Sequence, residues 1–331
     1  MKQIFRHSLI LILLLGSYFP LSAQDFSSIS LQKPVRLKLS DKSDFKKENT
    51  DLLKYSLLSD STKSQTKKDK QYKLHPVRLS IVGAGLLGTF TAMNIYYNNT
   101  WWKDKVTYFK FAEDGYYARN VDKASHVYTA NVFTELTAAL YEWSGISPGK
   151  SLLYGAITSM AYETYIEIND GMSPNWGFDW GDMAANFTGA LYPFFQRMLP
   201  ALQDINVKWS FQPKWLKGKI ENKDDLLDDY TNMTFWLSVN PEIFFPKSVT
   251  QGKWYPNFLA VALGVSIKNA SHVSGSTNAY REWFISLDYD LRKLPGNSDF
   301  MKKFKKILNF YHFPAPAVKF SPDGVWYGLY F

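Results

Sequence analysis

Three short stretches carry side chains able to do acid–base or metal chemistry. Asp122, Lys123 and His126 form the first, with Asp122 and His126 four residues apart. Glu163, Glu167 and Asp170 form the second, at i, i+4 and i+7. Asp182 and Asn186, again four apart, form the third. On a helix each spacing puts the members of a set on one face. An imidazole titrates near neutral pH, and a carboxylate beside it fixes its tautomer, so His126 with a carboxylate makes an acid/base pair. The same N and O donors suit a divalent cation held by His126, Glu167, Asp170 or Asp182. A third reading is structural: acids at helix N-termini and ion pairs between helices.

These sets meet only if the elements that carry them fold back on each other. A helix is expected from about 122 to 143, stopping at Gly145, a residue suited to the position after a helix. The next is expected to begin at Ser147-Pro148, an N-cap followed by proline, and to stop near Asp170-Gly171. The third is expected from Asp179, with acidic Asp182 in its first turn, and Pro193 should kink or end it. The links at 145–147 and 171–178 are short, so consecutive helices should run antiparallel. His126, Glu167, Asp170, Asp182 and Asn186 then converge at one end of the bundle, with Lys123 nearby. Glu135, about half a turn round from His126, is left out.

Before these helices, 79–97 is an uncharged stretch that reads as a fourth helix, long and buried; it is about as long as a membrane span, but Thr89, Thr91, Asn94 and three Gly make it a marginal one. It contains Gly83-Ala84-Gly85-Leu86-Leu87-Gly88, a G-x-G-x-x-G, with Glu113 downstream. No β–α–β alternation follows, so a nucleotide site is not expected and glycines in a tightly packed or membrane helix explain the string. After about residue 205 the period changes to two. Runs at 207–211, 233–239, 259–267, 283–291 and 325–331 alternate apolar with small or polar residues and read as about five strands. Residues 269–279 read as the loop between the third and fourth. The expected fold is α+β: a helical bundle core of about four helices, then an antiparallel β-sheet. His272 and His312 are lone histidines read as surface or packing residues, and 311–314 as a turn.

Composition narrows the classes. The 331 residues contain no Cys, which excludes disulfides, thiolate catalysis, Cys–zinc sites and a lipid-accepting Cys within them. Aromatic residues make up 17%, a bias toward membrane-interface or envelope proteins. Lys2 and Arg6, an apolar run at 8–15 and Leu21-Ser22-Ala23 read as an export signal spanning 1–23. Residues 24–76 hold 12 Lys/Arg against 7 Asp/Glu, so +5 of the net +8 lies in one polar arm. That arm is read as mostly disordered, with one short helix near 51–58. It reads as a solvated linker, or as a basic arm for anionic lipid headgroups or lipopolysaccharide, and not as a folded nucleic-acid face. A membrane or lipid partner is expected, with no nucleic acid and no nucleotide. No organic cofactor is expected, and a divalent metal stays open. Four segments result: leader 1–23, arm 24–76, helical core 77–204 and β-rich region 205–331.

The spaced polar residues carry a resemblance. Asp122-Lys123-x-x-His126, Glu167-x-x-Asp170-Gly171 and Gly177-Phe178-x-Trp180-x-Asp182-x-x-x-Asn186-x-x-Gly189-Ala190 resemble the YfiM-like predicted periplasmic lipoproteins, a domain of unknown function. The resemblance covers about residues 120–190. A fainter similarity is to VanZ-like membrane proteins. The resemblance implies an envelope location, in the periplasm or at a membrane, and functional positions at Asp122, Lys123, His126, Glu167, Asp170, Asp182 and Asn186, but no chemistry. The ending at 325–331 resembles the terminal strand of outer-membrane β-barrels. The primary expectation is an envelope protein whose cluster is structural or ligand-binding. The alternatives are a lipid- or cell-wall-directed enzyme using His126 with Glu167 and Asp182, and an outer-membrane channel or assembly factor built on the strands.

Overall fold

Proline sets two of the helix starts. Pro76 and Pro148 each follow a residue in extended conformation, where the missing N–H costs nothing. Asp179 starts a third by accepting a hydrogen bond from the Gly181 N–H. The computed structural model describes residues 72–103, 108–112, 117–212, 229–245, 250, 256–269 and 278–331. The leader, most of the arm, the helix expected near 51–58, Glu113 and His272 lie outside these residues.

Helix α1 spans Pro76–Asn99 and is apolar all round, exposing Val77, Ile81, Leu87 and Ile95. Among the described residues it is the one helix long and apolar enough, by length and composition, to cross a membrane. Phe90 stacks on Tyr162 at 4.5 Å between ring centroids and ties α1 to the bundle. Gly83, Gly85 and Gly88 lie inside this helix, so no strand-to-helix phosphate loop exists there. A Cβ on any of them would meet nothing within 4 Å. Tight packing therefore does not explain these glycines.

The bundle consists of α2 (Val121–Trp143), α3 (Pro148–Gly171) and α4 (Trp180–Met198). Its interior is small and polar: Ala130, Ala156 and Ala190 are buried beside Thr134, Thr137 and Ser159. Such residues let helix backbones approach closely. The approach is close enough that a Cβ at Gly155 would sit 2.5 Å from the Thr134 carbonyl oxygen, and one at Gly189 only 2.2 Å from that of Val127. Helix α4 does not end at Pro193; it continues to Met198. Pro193 is buried, so packing along the helix outweighs the backbone hydrogen bond that proline forfeits.

Six strands follow in one antiparallel meander, paired in chain order: β1 Ile205–Phe211, β2 Met233–Val239, β3 Leu259–Lys268, β4 Tyr280–Tyr289, β5 Ala315–Ser321 and β6 Val325–Tyr330. Mixed α+β architecture, helices before sheet, is as expected. The count of about five strands is corrected to six, because β5 was not foreseen. Pro316 lies within β5 at a register irregularity between Ala315 and Ala317, where a proline is tolerated. The fourth run ends at Tyr289 rather than 291, and a short helix α5, Asp299–Leu308, was not expected.

The sheet curls. Trp236 on β2 packs against Tyr330 on β6 with centroids 5.9 Å apart, and Thr234 Oγ1 lies 3.2 Å from the Tyr330 hydroxyl. The free edge of β1 is engaged by residues 310–312: Trp209 N–H donates to Phe310 O, and His312 N–H donates to Trp209 O. The concave side buries Lys208, Ser210, Trp236, Phe284, Ser286 and Asp288. Lys208 Nζ is 2.7 Å from Asp288 Oδ2 with both side chains essentially inaccessible. Of the two readings of His312, packing holds and surface does not: it is fully buried, its ring stacked 4.0 Å from that of Trp236. The other side of the sheet is apolar. At the β1–β3 end, Phe235, Ile267 and Met233 pack against Ala118, Val121 and Tyr128, so bundle and sheet share a core.

Candidate functional site

Two local devices place the site. The chain leaves α3 at Gly171 and returns to α4 through 172–179, and that connection is pinned by residues 110–112. Lys110 N–H donates to Gly171 O, and Phe178 N–H donates to Lys110 O. Gly177 allows this, since a Cβ there would sit 2.3 Å from that of Ala112. The second device is the Gly189–Val127 contact, which presses α4 against α2. The start of α2, the end of α3 and the start of α4 therefore lie together.

His126, Glu167 and Asp182 each offer a ligand atom within 4.8 Å of the other two. His126 Nε2 is 3.4 Å from Asp182 Oδ1. Its other nitrogen, Nδ1, is 3.1 Å from the Asn186 amide oxygen. An amide oxygen only accepts, so Nδ1 carries the proton and donates. In the neutral ring Nε2 then presents its lone pair to the carboxylates. Lone pair facing carboxylate is repulsive unless a proton or a cation lies between.

Lys123 is the cation already there. Its Nζ lies 3.0 Å from Asp122 Oδ2, 3.0 Å from Asp179 Oδ2 and 2.8 Å from Asp182 Oδ1. Glu167 accepts from the Asp179 backbone N–H at 3.4 Å. Asp122, Glu163, Glu167, Asp179 and Asp182 are each at most 5% exposed. Burial, opposed by His126 and reinforced by the charge of Asp182, pushes the Glu163 carboxyl up to about 7. Burial, then the charge of Asp182, also raises Asp122 against the pull of Lys123. Besides Glu163, the carboxyl groups of Asp122, Glu167, Asp179 and Asp182 share this interior with one ammonium, Lys123, and one imidazole, His126. Burying uncompensated charge is costly, so such a set draws in a cation.

Asp170 does not join the triad. Its Oδ1 accepts from the indole N–H of Trp102 at 2.6 Å, which turns it toward α1. Glu163 lies a turn deeper, with Oε1 buried and without a hydrogen-bond partner. Asp179, read from sequence only as a helix start, belongs to the ion-pair network. Asn131 and Thr134 are also buried, below His126 on α2. Neither follows His126 at a three- or four-residue spacing, so no same-face signal linked them to it in the sequence.

A helical bundle with an ionisable interior, followed by a curled antiparallel sheet, defines an α+β protein built round a buried His/carboxylate/Lys site. Residues 110–197 match the family described as Predicted periplasmic lipoprotein (DUF2279), the segment that holds every residue of the site. Over that segment the chain is similar to exported, periplasmic proteins of the cell envelope whose function is unknown. No curated protein matches the chain, and no solved structure matches it.

Proposed function

We propose that this is an exported envelope protein whose helical bundle binds a divalent transition cation, such as Zn²⁺ or Mn²⁺, through His126, Glu167 and Asp182. The observation that carries the reading is the geometry of three ligand atoms within 4.8 Å of one another. One imidazole and two carboxylates suit these cations. Asn186 is the orienting partner that a metal-bound histidine needs on its second nitrogen. Bound there, the cation supplies Lewis acidity, with positions left for water or an anionic group. Lys123 offsets charge beside it, and Asp122 and Asp179 hold Lys123 in place. The likeness to YfiM-like lipoproteins and to VanZ-like membrane proteins belongs to the same reading.

A second reading is an acid/base pair in a lipid- or cell-wall-directed enzyme. It is favoured by the 3.4 Å separation of His126 Nε2 and Asp182 Oδ1. Calorimetric titration of purified protein with Zn²⁺ and with Mn²⁺ separates the two. The cation reading expects one site per chain, abolished in His126→Ala and in Glu167→Gln/Asp182→Asn. Absence of saturable binding in folded protein would leave the acid/base pair or a structural network.

A further inference from the structure

The part of the convex side that the bundle leaves uncovered is apolar for a sheet face in water. The concave side buries two ion pairs, Lys208–Asp288 and Lys319–Glu282. The convex side carries a row that crosses five strands in register: Leu237 on β2 faces Leu263 on β3, Leu263 faces Ile285 on β4, Ile285 faces Val318 on β5, and Val318 faces Trp326 on β6. Each of these five is exposed, from 39% at Val318 to 67% at Trp326. A second row, Val261 beside Leu287, is exposed below it. A soluble sheet with one solvated face puts polar residues on that face. Here charge is sequestered inside and aliphatic side chains are displayed, which is the alternation of strands that face lipid.

We propose that this convex face is a docking surface for the acyl chains of an anionic lipid bilayer. Two further features agree. Strands β3 and β4 have ten residues each, the length of a tilted strand that crosses the hydrocarbon. Beyond that row, toward one end of β4 and β5, the face carries Trp283 and the exposed Phe320, and on β4 it ends in the exposed cation Arg281. Aromatic rings followed by a guanidinium toward one end of an apolar face match the headgroup layer, and the cation complements anionic headgroups. Exposed Phe300 and Phe304, stacked on one face of the lysine-rich helix α5, repeat that pairing of aromatic and cationic side chains. The surface owes nothing to the cation site, so either proposal stands if the other fails.

The chain has no cysteine, so single thiols can be placed cleanly. Nitroxide labels at Leu263→Cys, Ile285→Cys and, as a control in the exposed β5–β6 turn, Asp323→Cys are compared in full-length protein. The protein is bound to vesicles of phosphatidylethanolamine and phosphatidylglycerol. The proposal expects labels at 263 and 285 to collide readily with oxygen and to be shielded from a water-soluble nickel chelate, while 323 shows the reverse. It also expects Ile285→Arg to keep its circular-dichroism spectrum while vesicle partition falls about thirtyfold or more. Equal nickel access at all three positions would overturn it. So would labels at 263 and 285 that couple between chains, because a second copy would then cover the face. Unchanged partition of Ile285→Arg would overturn it as well.

Discussion

Gly189→Ala tests how the fold holds the site. The added Cβ would sit 2.2 Å from the Val127 carbonyl oxygen, and ordinary contact needs about 1 Å more. Because that oxygen is backbone, α2 and α4 must part by most of that distance. Asn186 is one turn from Gly189, and His126 adjoins Val127. Their 3.1 Å hydrogen bond would stretch to about 4 Å and be lost. Overpacking costs about 1–3 kcal/mol, and the lost hydrogen bond about 1 more. For a chain of this size that lowers the melting temperature by roughly 3–6 °C. Cation affinity should fall about 10- to 100-fold although every ligand is retained, because the orienting partner has moved. Gly85→Ala is the control, since its Cβ meets nothing within 4 Å. It should leave affinity intact and stabilise α1 by about 0.5–1 kcal/mol. Differential scanning calorimetry and cation titration of both variants supply the data. A Gly189→Ala protein that melts and binds like the parent would refute the reasoning.

Other consequences are accessible to unfolding experiments. Lys208→Met strands Asp288 in the sheet interior and should cost about 3–5 kcal/mol in urea denaturation, whereas the double variant Lys208→Met/Asp288→Leu should recover most of it. A single variant as stable as the parent would show that the pair is not buried as described. In cation-free protein the raised Glu163 carboxyl stays protonated in the fold while its unfolded counterpart ionises. Its contribution is complete below about pH 4.5 and is lost as pH rises to about 7. The loss is on the order of 3 kcal/mol at most. Glu163→Gln should flatten that part of the stability–pH curve, and an unaltered slope would assign it to another group.

The polar convergence was legible because local signals sufficed. Short links at 145–147 and 171–178 made antiparallel neighbours of helices whose ionisable residues already shared faces. Asp170 was misplaced because what turns it away is Trp102, 68 residues earlier, and no local pattern predicts that partner. Alternation revealed five strands, but prolines at 314 and 316 disguised β5, which tolerates Pro316 at an irregular pairing. Pro193 was overweighted, since burial along α4 carries the helix past it. Which face of each strand points inward was not readable. The two faces differ clearly in polarity, but the direction of curl is set by Trp236, Phe284 and Tyr330 meeting across three strands. The same meeting takes His312 from an apparent turn into the interior.

Anomalous diffraction from crystals soaked in Mn²⁺ or Zn²⁺ addresses the bundle site most directly. A single strong peak is predicted about 2.0–2.3 Å from His126 Nε2 and from one carboxylate oxygen each of Glu167 and Asp182. A map without density there, in crystals saturated with either ion and with Lys123 still seated on Asp182, would contradict it.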